Sequence, residues 1–445
     1  MHDHDPIAAE AVALLKRLDA EAPILHVTDG ERRAEELARF LAGALPGRPV
    51  LCLPPWDCLP FDSASPTPAA MGRRMAVLHC LQDPAPDLVV VMTVQTMLQR
   101  LPPPSAIRSF TVRAGQSLDL PALRDFCTGA GYEEDERIDE PGEVAFHGTT
   151  VEVFPGGAPL PCRIELSDGK VTAIRRFDPV SQRSLSEVET LDLVPVTELP
   201  ADDEDRGRGA EHRLPKTYPS LSTVADHLPD ARLSMSDAVP DAGRTLLDRI
   251  AEARADAAEG GGDPLAADAL YLGADAWDAC VQRADLLPKA GGQPVPAFAA
   301  ERRPRNRLSR FLDAQAEAGR RIILIAHSEP ERRRLQRMVT QAGGREPQPV
   351  ADWSQAKAQD SAILIADLAG GHVADDLAVV TASDLLGSRA QAPDDLTSVP
   401  SSWQVHATGL QLGDVVVHED HGLARLDGIE PLDGDEAIRL IFDHD

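Results

Sequence analysis

Residues 24–54 read ILHVTDGERRAEELARFLAGALPGRPVLCLP, and this stretch decides the fold class. The run ILHVT is short, apolar and β-branched, as a strand buried on both faces must be. After it, ERRAEELARFLAGAL places Leu37, Phe40, Leu41 and Leu45 on one side of a helix, and PVLCLP is a second buried strand. A further helix around GRRMAVLHCLQ and the strand DLVVVMTV follow. Strands alternating with helices predict a parallel, doubly wound sheet. Such a sheet often carries a phosphate loop after its first strand, but the turn VTDGERRAEEL has only Gly30, and the chain has no G-x-x-x-x-G-K-[ST]. The reading is a nucleotide-binding layout without the residues that hold triphosphate and magnesium.

Working outward, residues 109–200 change pattern. TVEVF, RIELS and VTAIRRF alternate with period two, SDGK is a hairpin turn, and the helix LPALRDFCTGAGY precedes them, which makes this an α+β module on antiparallel strands. Residues 201–300 are polar and punctuated by Gly and Pro, with mobile stretches predicted on either side of one amphipathic helix in AGRTLLDRIAEARA. Strand and helix signals resume over 305–388 as a second, smaller α/β module, in which Ser328 and Glu331 resemble a capping pair at a helix start. A linker covers 389–408, and 409–445 reads as strands. The expectation for the whole chain is a multidomain α/β protein.

With 445 residues there is room for two to four domains. Aromatics are only 4%, so the cores must rest on Leu, Val, Ile and Ala. A formal net charge of -28 gives no whole-chain attraction to nucleic acid, and protein partners fit it better. The six cysteines form no C-x-x-C and read as reduced, buried thiols. No apolar run reaches the roughly 20 residues of a membrane helix, and MHDHDPIAAE is not a signal peptide, so the expected location is cytosolic.

Three constellations could carry chemistry. The first is HEDH at 418–421, followed by Gly422: either a metal site, for which further converging ligands are missing from LARLDGIE, or a hairpin turn with polar tips. Alternation of Val415 and Val417 with Val416 and His418 suits a half-buried barrel strand. The second is a positive island of Arg163, Lys170, Arg175, Arg176 and Arg183 beside Phe177, with a local charge of +2 against Glu165, Asp168 and Asp178. Arginine with an aromatic neighbour is the composition of an interface anchor, and a solvated strand face is the competing reading. The third, WDCLPFDSASPTPAAMGRRM, is a rigid loop bearing Trp56 and Phe61, either a functional surface or a cap on the sheet's edge.

Four segments, in order, resemble one family. PPWDCLPFDSASPTPAAMGRRMAVLHCL, GEVAFHGTTVEVFPGG, RIELSDGKVTAIRRFDPVSQRSL and GDVVVHEDHGLARLDGIE are similar to the N-terminal part of bacterial transcription-repair coupling factors. The resemblance implies a UvrB-like module whose degenerate P-loop-type parallel sheet (1–108, returning within 201–300) is interrupted by a UvrA-docking domain (109–200). It then implies a small third domain (305–388) and the start of a Tudor-like β-barrel that grips the RNA polymerase β subunit (409–445). It implies Arg163, Arg175, Arg176, Phe177 and Arg183 as the UvrA-facing surface, and Val415, Val417 and Leu432 at the polymerase contact. No cofactor, catalytic residue or metal ligand is implied in this chain; ATP and magnesium belong to the DNA-translocating motor of the family's full-length members. The chain stops at LIFDHD, so a fragment that behaves as a monomer is expected, with DNA reached only through the motor. A nucleotide- or metal-dependent hydrolase using the first sheet or HEDH is the alternative.

Overall fold

The computed structural model describes residues 7–18, 22–62, 64–203, 206–260, 264–288, 292–374 and 376–387, and the backbone alone of the strands Val415–His418, Gly422–Leu432 and Asp435–Phe442. Residues 1–394 form one compact unit and 395–445 another.

The strand ILHVT is Ile24–Thr28, buried along its whole length. It sits at the centre of a five-stranded parallel sheet in the order Asp285–Leu286, Arg232–Met235, Ile24–Thr28, Val89–Thr93, Val50–Leu53. Two of these strands come from 201–300, the region with the weakest sequence pattern. That region also holds the 21-residue helix Val239–Glu259, which extends through ARADAAE, a stretch expected to be mobile. The second sheet uses the same plan. Leu377–Thr381, Arg321–Ala326, Ser361–Ile365 and Gln348–Pro349 lie parallel in that order, with His372–Val373 and Gln293–Pro294 added antiparallel at one edge. In both sheets the spatial order of the four main parallel strands is fourth, first, third, second.

The helix Glu31–Ala44 serves both sheets. Its buried residues Ala34, Leu37, Ala38, Phe40, Leu41 and Ala44 pack in one cluster with Ile24, Val89 and Val91 of the first sheet and with Ile323, Ile325, Leu364 and Val379 of the second. Phe40 meets Trp353 edge-on at 6.1 Å between ring centroids. Gly43 allows the closest approach, since a Cβ there would lie 2.9 Å from Ala366 Cα. At the rim, Arg39 pairs with Asp367 at 2.9 Å and Lys16 with Asp376 at 2.9 Å. These pairs are partly solvated and contribute little beside the apolar seam.

Residues 110–193 form an inserted domain whose first and last strands, Phe110–Arg113 and Thr190–Leu193, pair antiparallel. The chain therefore leaves the insert beside the point where it enters, which is how a domain can interrupt another without distorting it. Its main sheet has the order Ser184–Val188, Lys170–Phe177, Cys162–Ser167, Thr150–Val153, Glu143–His147, Glu133–Glu134. The SDGK turn has Asp168 and Gly169 both at positive φ, the geometry of a tight two-residue hairpin. All six cysteines are unpaired, and burial pushes the Cys127 thiol up to about 12 and that of Cys162 up to about 11.

The second, separate unit contains a three-stranded antiparallel meander. Val415–His418 pairs with Gly422–Leu432, which pairs with Asp435–Phe442. His418 lies opposite Gly422, so the strands on either side of HEDH form a hairpin; residues 419–421 fall outside the described residues.

Because the two α/β sheets share one core, they are expected to unfold together. Phe40→Ala should cost about 3–5 kcal/mol, as large aromatic truncations in cores do. In urea, fluorescence of Trp353 and far-ultraviolet circular dichroism should fall in one shared transition that the substitution moves to lower denaturant; separate transitions for the two sheets would contradict the shared core.

Candidate protein-docking surface

The exposed part of the inserted domain follows from strand register. One face of its sheet carries Val151, Val153, Ile164 and Ile174, which are buried against Leu123 and Cys127 of the helix Leu120–Gly129 and against Val112, Leu191 and Leu193. On the other face the pairing sets Glu152 opposite Arg163, Arg163 opposite Arg175, and Arg175 opposite Glu187. Two arginines directly opposite each other would repel. Here they are flanked: Arg163 donates to Glu152 at 2.6 Å, and Arg175 donates to Glu187 at 3.0 Å and also to Glu165.

The five expected docking residues therefore divide. Arg163 is half-buried, neutralised by Glu152, and stacked 4.7 Å over the ring of Phe177. Phe177 is fully buried in a small cluster with Ile138, Ala145 and Phe154, beneath the surface. Arg175 is held by two glutamates. Only Arg176 and Arg183 are exposed and without an ion pair among the described residues.

Those two lie on the hairpin that joins Lys170–Phe177 to the edge strand Ser184–Val188. The turn is well tied: Asp178 N–H donates to Arg183 O at 2.9 Å, and Gln182 N–H to Asp178 O at 2.8 Å with Gln182 at φ +60°. Ser181 N–H donates to the Asp178 carboxylate at 2.6 Å, which holds that carboxyl below its usual range. On this hairpin sit Val180, 70% exposed, and Leu185, 59% exposed, two of the five large hydrophobic side chains exposed among the described residues. Apolar groups beside unpaired guanidiniums on a sheet edge suit protein docking by edge pairing or by an apolar anchor. The cluster of arginines points to neither residue; the signal that marks them is an isolated apolar residue in an otherwise polar turn, as in DPVSQRSLSEV.

The expected polymerase-facing residues lie in the separate meander, with Val415 opposite Arg425, Val417 opposite Leu423 and Leu432 opposite Asp435. No group of three or more His, Cys, Asp or Glu placed to hold a metal occurs among the described residues, and no helix there is long and apolar enough to cross a membrane.

The insert is anchored to the first sheet at a buried polar joint. Arg74, on the helix Pro68–Cys80, pairs with Glu198 at the insert's exit, and both side chains are fully buried. Trp56 Nε1 donates to the same carboxylate at 3.2 Å, Tyr218 Oη donates to Glu198 O at 2.9 Å, and Arg74 donates to Pro54 O at 2.8 Å. Beside this joint the helix meets the loop after Thr150–Val153 through bare backbone: a Cβ on Gly72 would lie 2.4 Å from Gly156 Cα, and one on Gly157 2.5 Å from Ala76 Cβ. The WDCLPF loop thus closes the joint with Trp56, which is buried, while Leu59 stays exposed. Removing one partner of a buried ion pair strands the other. Glu198→Leu should therefore destabilise by about 3–5 kcal/mol, and Arg74→Met with Glu198→Leu should recover most of the loss in chemical denaturation. A double variant no more stable than the single one would show that the pair is not the anchor.

Comparison with known proteins is consistent with this architecture. Residues 110–199 match the family described as the UvrB interaction domain, and residues 314–385 match that described as the MFD, D3 domain. The transcription-repair-coupling factor of Haemophilus influenzae is 24% identical over 94% of this chain and 41% of its own length. The factor of the same name from Escherichia coli is 26% identical over 86% of this chain and 38% of its length, and that of Myxococcus xanthus is 30% identical over 42% and 16%. The chain spans about two fifths of the first two relatives. Both domain types occur in this order and relatives align along most of its length, so the chain is similar to transcription-repair-coupling factors over most of its residues.

Proposed function

We propose that this chain is the recruiting part of a transcription-coupled repair factor: it holds UvrA on the Lys170–Val188 hairpin and RNA polymerase on the three-stranded meander, and so brings excision repair to a stalled polymerase in the cytoplasm. The observation that carries the UvrA half is the exposed pair Val180 and Leu185 beside Arg176 and Arg183 at a sheet edge. An apolar anchor with flanking guanidiniums gives affinity through the first and orientation through the second. Arg163, Arg175 and Phe177 then act as the support that keeps the hairpin in place. In the polymerase half, Val415, Val417 and Leu432 are the candidates, on a meander that would form the start of a Tudor-like barrel and dock by edge pairing.

In this reading the first sheet is a degenerate P-loop-type scaffold and not a nucleotide site. The helix start where a phosphate would bind is acidic, with Asp29 and Glu31 on either side of Gly30 and the nearby Arg33 already engaged by Glu10. Burial and the neighbouring Glu35 raise the Glu31 carboxyl above its ordinary range, and an added anion there would raise it further. ATP hydrolysis and DNA translocation belong to the motor of the family's full-length members.

Pull-down of purified UvrA on the full chain tests the docking half. Val180→Asp with Leu185→Asp should weaken capture at least tenfold, Arg176→Glu with Arg183→Glu should do likewise, and Arg175→Gln should have a smaller effect. Undiminished capture by both double variants, with unchanged circular dichroism, would remove the hairpin from the proposal.

A further inference from the structure

Residues 302–345 hold twelve arginines, no lysine and four carboxylates, in a chain whose formal net charge is -28. The helices Pro304–Glu317 and Glu329–Gln341 carry most of them. Leu308 and Leu312 of the first helix, and Leu335 and Val339 of the second, enter one core cluster on the same face of the second sheet, opposite the face served by Glu31–Ala44. The two helices touch, and Arg305 Nε donates to Gln341 O at 3.1 Å, so the first turn of one lies against the C-terminal carbonyls of the other. That end of a helix favours cations.

Compensation within this surface is incomplete. Arg307 faces Glu301 at 3.6 Å, Arg332 and Arg333 share Glu329, and Arg345 pairs with Asp360. Arg302, Arg303, Arg310 and Arg334 are exposed and have no side-chain partner among the described residues, and exposed Arg337 donates only to the backbone of Arg333. The unpaired carboxylates of the first helix, Asp313 and Glu317, lie towards its far end. From the N-cap Arg303, Arg307 and Arg310 follow along that helix at intervals of about 6 and 4.5 Å, from the rise of 1.5 Å per residue.

None of the five exposed large hydrophobics, Leu59, Val180, Leu185, Leu286 and Ile365, belongs to these two helices. A protein interface would need such an anchor, as the Lys170–Val188 hairpin has. A row of guanidiniums without one, of which Arg307 alone has an ion pair among the described residues, matches a repeating anion. We propose that the outer face of Pro304–Glu317 and Glu329–Gln341 binds the phosphate backbone of duplex nucleic acid without reading its sequence. The net negative charge elsewhere does not forbid this, because screening acts over about 8 Å at physiological salt, so carboxylates farther away count for little.

The test uses the full chain and a fluorescein-labelled 30-base-pair duplex, followed by anisotropy from 50 to 200 mM KCl. Wild type should bind at 50 mM and lose affinity on the order of 100- to 1,000-fold across the range, as several phosphate contacts require. Arg303→Glu, Arg310→Glu, Arg334→Glu and Arg337→Glu together should cost at least tenfold at 50 mM and flatten the salt slope by about 3–4, near 0.9 per contact. The four lysine replacements should retain binding, and Arg176→Glu with Arg183→Glu should leave it within about twofold. No binding by wild type at 50 mM, or equal binding by the folded quadruple glutamate variant, would overturn the proposal. Displacement of the duplex by poly-glutamate as readily as by unlabelled duplex of equal charge would also overturn it, and would assign the surface to acidic proteins.

Discussion

Everything in the larger unit depends on one helix being covered on both sides. Glu31–Ala44 lies between a parallel and a mainly parallel sheet, and its inward positions are small or flat: Ala34, Ala38 and Ala44 beside Leu37, Phe40 and Leu41, with Gly43 admitting the backbone of Ala366. Bulky residues at the alanines would hold the sheets apart and leave voids, and packing defects in such interiors are costly. The polar edge is used as well, since Arg33 reaches Glu10 and Arg39 reaches Asp367.

From that frame two groups of arginines diverge by what surrounds them. In the inserted domain, strand register lines up Glu152, Glu165 and Glu187 with Arg163 and Arg175, so most of the positive charge is spent inside the sheet, and what remains exposed is a hairpin with Val180 and Leu185. On the second sheet's outer helices several guanidiniums have no carboxylate partner among the described residues, and no apolar anchor stands among them there. Charge counted along the chain is the same kind of signal in both places. Neighbours in space distinguish the two.

The strands and helices with strong periodicity were legible in the residues. ILHVT is a buried central strand, VTAIRRF lies in an antiparallel sheet, and Ser328 caps its helix by accepting from the Glu331 N–H. The sharing of Glu31–Ala44 was not, because an apolar helical face shows that a helix is covered and not by what. The strand Arg232–Met235 was not legible either, since RLSM has too few apolar residues to stand out and gains its place from pairing with Ile24–Thr28. For the docking surface, Arg176 and Arg183 were readable as exposed. The burial of Phe177 beneath Arg163 depends on Ile138, Ala145 and Phe154, which arrive from distant positions.

We propose that the hairpin edge, and not the island of arginines as a whole, meets UvrA. Hydrogen–deuterium exchange of the full chain with and without UvrA tests it most directly. Slowed exchange is expected in the turn after Phe177 and the edge strand Ser184–Val188 alone, with Cys162–Ser167 unchanged because its amides already face neighbouring strands on both sides. Protection centred on the helix Leu120–Gly129, or none in the hairpin at saturating UvrA, would contradict it.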